Sequence, residues 1–328
     1  MINQSVLNRV EKYREEFLSA EPFRHVVIDD FLEPAEAEQM LLDFPVFDPA
    51  RALNEMGEVG GKAVFENIAE ISPFYRKLAK QVRSEEFLNT ISALTGIEYL
   101  LSDETLFGGG THENLNGQEL DPHVDFNYDE RTWVHRRLNL LLYLNKEWED
   151  GWGGSIELHS DPRRPAQNRV ELITPLFNRC LIFETNERSW HGFSVIRLPP
   201  DKLHLSRKSF SLYLYTKERP ADEVSPSHST FYVQRPLPEH IRAGQLLSDE
   251  DFETIRQLIH KRDRFIELYQ NRELQHGQTY KELLHHLKVA DDTLFQIRVS
   301  RSWRMLAPLR RLKRLLYGIR RREANKPS

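Results

Sequence analysis

The chain has 328 residues, of which 39% are hydrophobic, 29% charged and 10% aromatic. That length supplies one large domain with an appendage, or two modest domains, and the composition excludes a disordered or fibrous protein. A net charge of −5 argues against a general nucleic-acid binder, which carries a basic excess to neutralise phosphates.

The first residues, Met1-Ile2-Asn3-Gln4, run into the charged Glu11, Lys12, Arg14, Glu15 and Glu16 with no apolar signal-peptide core. No stretch reaches the length needed to span a bilayer, and the expectation is a cytoplasmic protein. Val6, Val10, Tyr13 and Phe17 fall at helical spacing, which predicts an amphipathic helix over residues 5 to 19. The run from Pro22 to Phe31 reads as a short strand, followed by a helix opened near Pro34 and closed before Pro45. A further helix is expected from Pro73 to about Leu94.

From about Tyr99 apolar and β-branched runs come in short pieces, punctuated by Gly108-Gly109-Gly110, Asn116-Gly117 and Gly151-Trp152-Gly153-Gly154. Six strands are expected: Leu138 to Asn145, Ser155 to His159, Val170 to Ile173, Cys180 to Glu184, Gly192 to Ile196 and Ser209 to Thr216. The predicted fold is mainly β with helices, a double-stranded β-helix (jelly roll) with N-terminal supporting helices and a C-terminal helical extension. The lone cysteine, Cys180, excludes an intrachain disulfide and reads as a buried small hydrophobe within its apolar run.

After Thr216 the chain is rich in proline and then helical from Ser248 through about Tyr280 and on to Val289. The expected division is residues 1–219, with the barrel at about 99–216, and residues 220–328 as linker and extension. Residues 301–328 hold ten Lys or Arg against the single acid Glu323, with Trp303, Met305, Leu306, Leu309 and Leu312 interleaved. This basic amphipathic tail reads as a solvated helix, a membrane-surface or partner-binding helix, or a nucleic-acid patch. Apolar residues among arginines favour an interface or an anionic membrane over phosphate tracking.

His123-Val124-Asp125 places an imidazole and a carboxylate two residues apart, on one face of an extended segment. His191 lies after a short polar turn, where a neighbouring strand can present it to the same ion. Two histidines and one carboxylate make the facial triad of non-haem Fe(II) oxygenases. Sixteen residues after His191, Arg207 shares a strand face with Ser209, Ser211 and Tyr213. Its planar guanidinium gives the bidentate clamp that the distal carboxylate of 2-oxoglutarate requires.

Residues from about Gly108 to Tyr215 resemble the prolyl-hydroxylase-like branch of the Fe(II)/2-oxoglutarate-dependent oxygenases. The matching pieces are Gly108-Gly109-Gly110, Leu120-Asp121-Pro122-His123-Val124-Asp125-Phe126-Asn127, the run Arg137 to Asn145, Trp152-Gly153-Gly154, Trp190-His191-Gly192 and Arg207-Lys208-Ser209. The resemblance implies His123, Asp125 and His191 as iron ligands, Arg207 with Tyr143 and Ser209 on 2-oxoglutarate, and Fe(II), 2-oxoglutarate and O2 as cofactor and cosubstrates. It further implies hydroxylation of an unactivated C–H bond; Asp125, where the halogenating variant has Gly or Ala, disfavours halogenation.

His112, Asn127, His159, Asn186 and Trp190 lie near the motif segments and are expected at the rim of a substrate pocket. The tail resembles C-terminal ends of some bacterial glycosyltransferases and methyltransferases of surface-glycan assembly. It suggests a cell-envelope saccharide or another bacterial metabolite as substrate, with peripheral attachment to an anionic membrane or an envelope-biosynthesis partner. Prolyl hydroxylation of a peptide is the alternative within the class, and a non-catalytic binding or scaffold module is the alternative outside it.

Overall fold

The computed structural model describes residues 1–52, 62–129, 131–238 and 240–306, in two compact units, Met1–Arg262 and Asp263–Ser328. The first unit opens with α1 (Gln4–Leu7) and α2 (Val10–Ser19), β1 (His25–Ile28), α3 (Pro34–Leu42), β2 (Ala63–Phe65), α4 (Pro73–Gln81) and α5 (Glu85–Thr95). The single helix expected from Pro73 to Leu94 is two, because Ser84 starts a new one: its hydroxyl accepts the Phe87 N–H at 3.2 Å. Gly96, at φ +73°, ends α5 in the left-handed conformation.

Ten strands follow: β3 (Leu101–Ser102), β4 (Gly110–Asn114), β5 (Leu120–Val124), β6 (His135–Tyr143), β7 (Ile156–His159), β8 (Val170–Ile173), β9 (Cys180–Glu184), β10 (Trp190–Phe193), β11 (Arg207–Thr216) and β12 (Phe231–Tyr232). They form two antiparallel sheets. The larger has the order β1-β9-β6-β11-β4-β2, with β3 also on β11; the smaller has the order β12-β5-β10-β7-β8. This is the expected jelly roll.

Alternation along the strands decides what each face meets. Leu138, Leu140 and Leu142 of β6 join Leu212 and Leu214 of β11 in a core with Phe17 of α2, Tyr75 and Leu78 of α4, and Ile91 and Leu94 of α5. The opposite face of β6 carries Asn139, Leu141 and Tyr143 toward the interior between the sheets, where Tyr143 packs with Ile156, Leu158, Leu181 and Phe183. Helices therefore cover the outside of the larger sheet and leave its inner face for the site. Cys180 is fully buried, and burial pushes its thiol well above the usual range.

The first unit does not stop at the expected boundary near residue 219. β12 pairs with β5, Asn127 bonds Pro226 and His228, and Lys261 reaches Glu119 and Asp121, so residues 220–262 pack with the barrel. The helical pieces expected from Ser248 to Val289 are one helix, α6 (Asp249–Val299), followed by α7 (Arg301–Met305). Of the predicted basic tail, residues 307–328 lie outside the described residues. Among the described residues no helix is long and apolar enough to cross a membrane.

Candidate active site

His123 sits near the end of β5 and Asp125 just beyond it. β10 runs antiparallel to β5 with His191 directly opposite His123, and the two rings lie 4.2 Å apart. Asp125 Oδ1 is 3.8 Å from His123 Nε2, and its Oδ2 is 3.5 Å from His191 Nε2. One donor atom from each residue falls within 4.8 Å of the others, spacing that suits three ligands each about 2 Å from one ion.

Each imidazole is set by its other nitrogen. His123 Nδ1 donates to the Asp121 carbonyl at 2.9 Å and His191 Nδ1 to the Ser189 carbonyl at 2.8 Å, which leaves both Nε2 lone pairs facing the centre. Burial, with His191 close by, pushes His123 down to about 3, and burial lowers His191 as well. Burial alone would raise Asp125, but Arg136, His191 and His123 together hold it well below the usual carboxylate range. At neutral pH the centre thus offers two neutral imidazoles and one carboxylate, a donor set that fits Fe(II).

The second oxygen of that carboxylate is also claimed. Asp125 Oδ2 accepts from Asn139 Nδ2 at 2.8 Å and from Arg136 at 3.1 Å. Arg136 is buried between the rings of Phe126 and Tyr213, 4.4 and 3.6 Å from their centroids, and donates twice to Asn139 Oδ1.

Arg207 opens β11. Its Nε donates to the Gly154 carbonyl at 2.7 Å and an Nη donates to the Tyr143 hydroxyl at 3.3 Å. The side chain is buried, which lowers its pKa, and among the described residues no carboxylate pairs with it. A buried guanidinium without a counter-charge is costly, so the site fits an anion. Arg207 and the three metal-ligating residues line one cavity of about 70 Å³. A wider cleft of about 480 Å³ shares His123 and Asp125 with it and is walled by Phe107, Phe126, Arg136 and Tyr232.

Of the residues singled out in the sequence, Ser209 and His112 line the same inner cavity. His112 bonds Ser211 and the Gly108 carbonyl, and burial drives its pKa well down. Tyr143 reaches the site through Arg207 and lines neither cavity. Nor do the other four. Asn127 pins the segment at Pro226 and His228, and His159 bonds Glu157 and Asn168. Asn186 caps a turn at Arg188, and Trp190 packs under Arg163.

Sequence reasoning missed Arg136, Asn139, Lys62 and Tyr232. Asn139 was reachable, since it shares the inward face of β6 with Leu141 and Tyr143. Arg136 was not: a register shift between Leu214 and Tyr215 of β11 bulges β6 and turns Arg136 inward, three residues from Asn139.

Two outcomes are expected. A Cβ at Gly192 would stand 2.6 Å from the Leu120 carbonyl oxygen and 3.0 Å from the Asp121 carbonyl carbon, both backbone. Gly192→Ala therefore spreads β10 from β5, and Mn(II) titration should show affinity reduced on the order of 10- to 100-fold; unchanged affinity would refute the close-approach argument. Secondly, His112, His123 and His191 are harder to protonate in the fold than in the unfolded chain, whose histidines titrate near 6.5. The unfolded state takes up the extra protons as pH falls, so the metal-free protein loses stability progressively from about pH 7 down toward about pH 3, where His123 itself protonates in the fold. The denaturant midpoint should fall across that window, and fall less in His123→Asn.

Comparison with known proteins finds similar chains by sequence and by structure. The chain is 24% identical over 197 residues to the prolyl 3-hydroxylase OGFOD1 of Mus musculus, a match covering 55% of this chain and 31% of that protein, so the chain spans about a third of the relative's length. Among solved structures it is similar to a Trichoplax adhaerens prolyl hydroxylase in complex with a hypoxia inducible factor peptide fragment (19% identity, 66% of this chain and 94% of that one, TM-score 0.44). It is also similar to HygX of Streptomyces hygroscopicus with nickel and 2-oxoglutarate bound (14% identity, 68% and 96%, TM-score 0.41). Residues 110–215 match the family model described as the 2OG-Fe(II) oxygenase superfamily. The span of that match runs from β4 into β11 and takes in His123, Asp125, His191 and Arg207, so this stretch of the chain is similar to the 2OG-Fe(II) oxygenase superfamily.

Proposed function

We propose that the protein is an Fe(II)- and 2-oxoglutarate-dependent dioxygenase that hydroxylates an unactivated C–H bond of a substrate seated in the wider cleft. The observation that carries this reading is Arg207: a buried guanidinium with no carboxylate partner among the described residues, on the same cavity as the His123, Asp125 and His191 donors. When bound, Fe(II) with 2-oxoglutarate and O2 supplies the oxidation, one oxygen atom going to the succinate that forms as CO2 leaves and the other to the substrate C–H.

This chain's residues do the positioning. His123, Asp125 and His191 would hold the metal, and three protein ligands would leave it open to the oxoacid and O2. Arg207 would clamp the distal carboxylate, its orientation kept by the Gly154 carbonyl and the Tyr143 hydroxyl, and Ser209 adds a hydroxyl to the same cavity. Asn139 and Arg136 fix the rotation of the Asp125 carboxylate. The aromatic wall of the wider cleft, Phe107, Phe126 and Tyr232, gives a substrate an apolar surface beside the metal.

Two substrate classes fit: a saccharide or other small metabolite, and a prolyl residue of a peptide, the latter supported by the similarity to a prolyl 3-hydroxylase. With Fe(II) and 2-oxoglutarate the wild type should release succinate, and His123→Ala and Arg207→Ala should not. Arg207→Lys should weaken 2-oxoglutarate binding, because an ammonium cannot reproduce the forked contact. A wild type that binds neither metal nor 2-oxoglutarate would mean a non-catalytic module. A mass gain of one oxygen on glycans, metabolites or prolyl peptides then identifies the class.

The basic tail supports a cytoplasmic enzyme held at an anionic membrane face. Flotation with anionic vesicles should carry the full chain and leave behind a chain ended after Val299; equal flotation of the two overturns the attachment.

A further inference from the structure

Beside the bulged start of β5 lies a cluster of charges that the proposed reaction does not use, with Glu119 at the edge of the wider cleft and Asp121 buried outside both cavities. The register of β10 on β5 shifts between His191 and Phe193, so β5 bulges at Asp121 and Pro122. Leu120 and His123 consequently face the cavity together, while Asp121 does not line it. Asp121 is buried at 4% exposure, and its carbonyl is the acceptor that orients His123.

Two cations from the segment after the barrel close on this bulge. Lys261, in the early turns of α6, bonds Glu119 at 2.8 Å and Asp121 at 2.9 Å. Arg235, three residues past β12, donates to the Leu120 carbonyl at 3.2 Å and pairs with Glu157 of β7 at 2.8 Å, with Glu119 and Asp121 at 3.7 and 3.8 Å. Since β10 lies between β5 and β7 in the sheet, Arg235 spans the two neighbours of the strand that carries His191. β12 completes the arrangement by pairing Tyr232 with His123, its ring 5.3 Å from the imidazole.

We propose that Arg235 and Lys261 are positioning residues for the metal centre: they hold the β5 bulge and its Asp121 carbonyl in place, so that metal affinity depends on the segment C-terminal to the barrel. The inference rests on the metal-site reading of His123, Asp125 and His191, and goes beyond it by giving residues 231–262 a role at that site. Lys261 and Arg235 bond none of the three metal-ligating residues, and their influence runs through the backbone.

The test is Mn(II) titration of the full-length protein, with its melting temperature recorded without metal. Lys261→Met and Arg235→Met should each weaken Mn(II) binding about 10-fold, and Lys261→Arg should restore it. With Mn(II) saturating, 2-oxoglutarate affinity should stay at the wild-type level, because Arg207 is untouched. If Arg235→Met fails to fold, Lys261→Met, at a partly exposed position, carries the test alone. Mn(II) affinity within twofold of wild type in a folded Lys261→Met protein overturns the proposal. So does weakened binding that Lys261→Arg fails to rescue. Absence of Mn(II) binding by the wild type itself, equal to that of His123→Ala, instead overturns the metal-site reading on which the proposal stands.

Discussion

The site depends on how closely two backbones meet, β5 and β10. Opposing His123 and His191 across an antiparallel pair brings two imidazoles to one point without a long side chain reaching for it, and Asp125 then follows from the same strand. The closeness requires that Gly192 carry no side chain. The rest of the arrangement serves this pair. The Asp121 and Ser189 carbonyls orient the rings, Arg136 and Asn139 turn the carboxylate, and the helices α2, α4 and α5 back the larger sheet so that its inner face can stay polar around Arg207.

Charge is balanced locally at the centre and left unbalanced beside it. The Asp125 carboxylate is offset by Arg136, held between two aromatic rings where its planar cation is stabilised by their faces. A divalent ion therefore enters a centre whose own charges nearly cancel. Arg207 has no such offset among the described residues, which suits it to an anion supplied from solution. One buried arginine is thus paired within the protein and the other is open to a ligand, a distinction made by their partners and not by their burial.

Much of this was legible in the sequence. Val170 to Ile173 and Cys180 to Glu184 stand where their apolar character put them, and the His123, Asp125, His191 and Arg207 set was readable from spacing and residue type. β4 and β5 were not read as strands, because Gly-Thr-His-Glu-Asn and Leu-Asp-Pro-His-Val are polar or proline-bearing; only their place in the sheet makes them strands. β6 begins at His135, earlier than expected, since Arg136 pairs with Asp125 and Arg137 with Glu184 and Glu223. Such charges look like a loop until their distant partners are known. The strand expected from Gly192 begins at Trp190 and takes in His191 for the same reason: the pairing partner of His191 is 68 residues away. The role of residues 220–262 was hidden likewise, because ion pairs between remote segments leave no periodic mark.

The bond between Glu119 and Lys261 closes a loop of 142 residues. Closure over such a span is slow relative to local helix and hairpin formation. During synthesis every barrel strand through β11 leaves the ribosome before Lys261 does. The barrel strands can pair while the Lys261 contacts to Glu119 and Asp121 are still unmade.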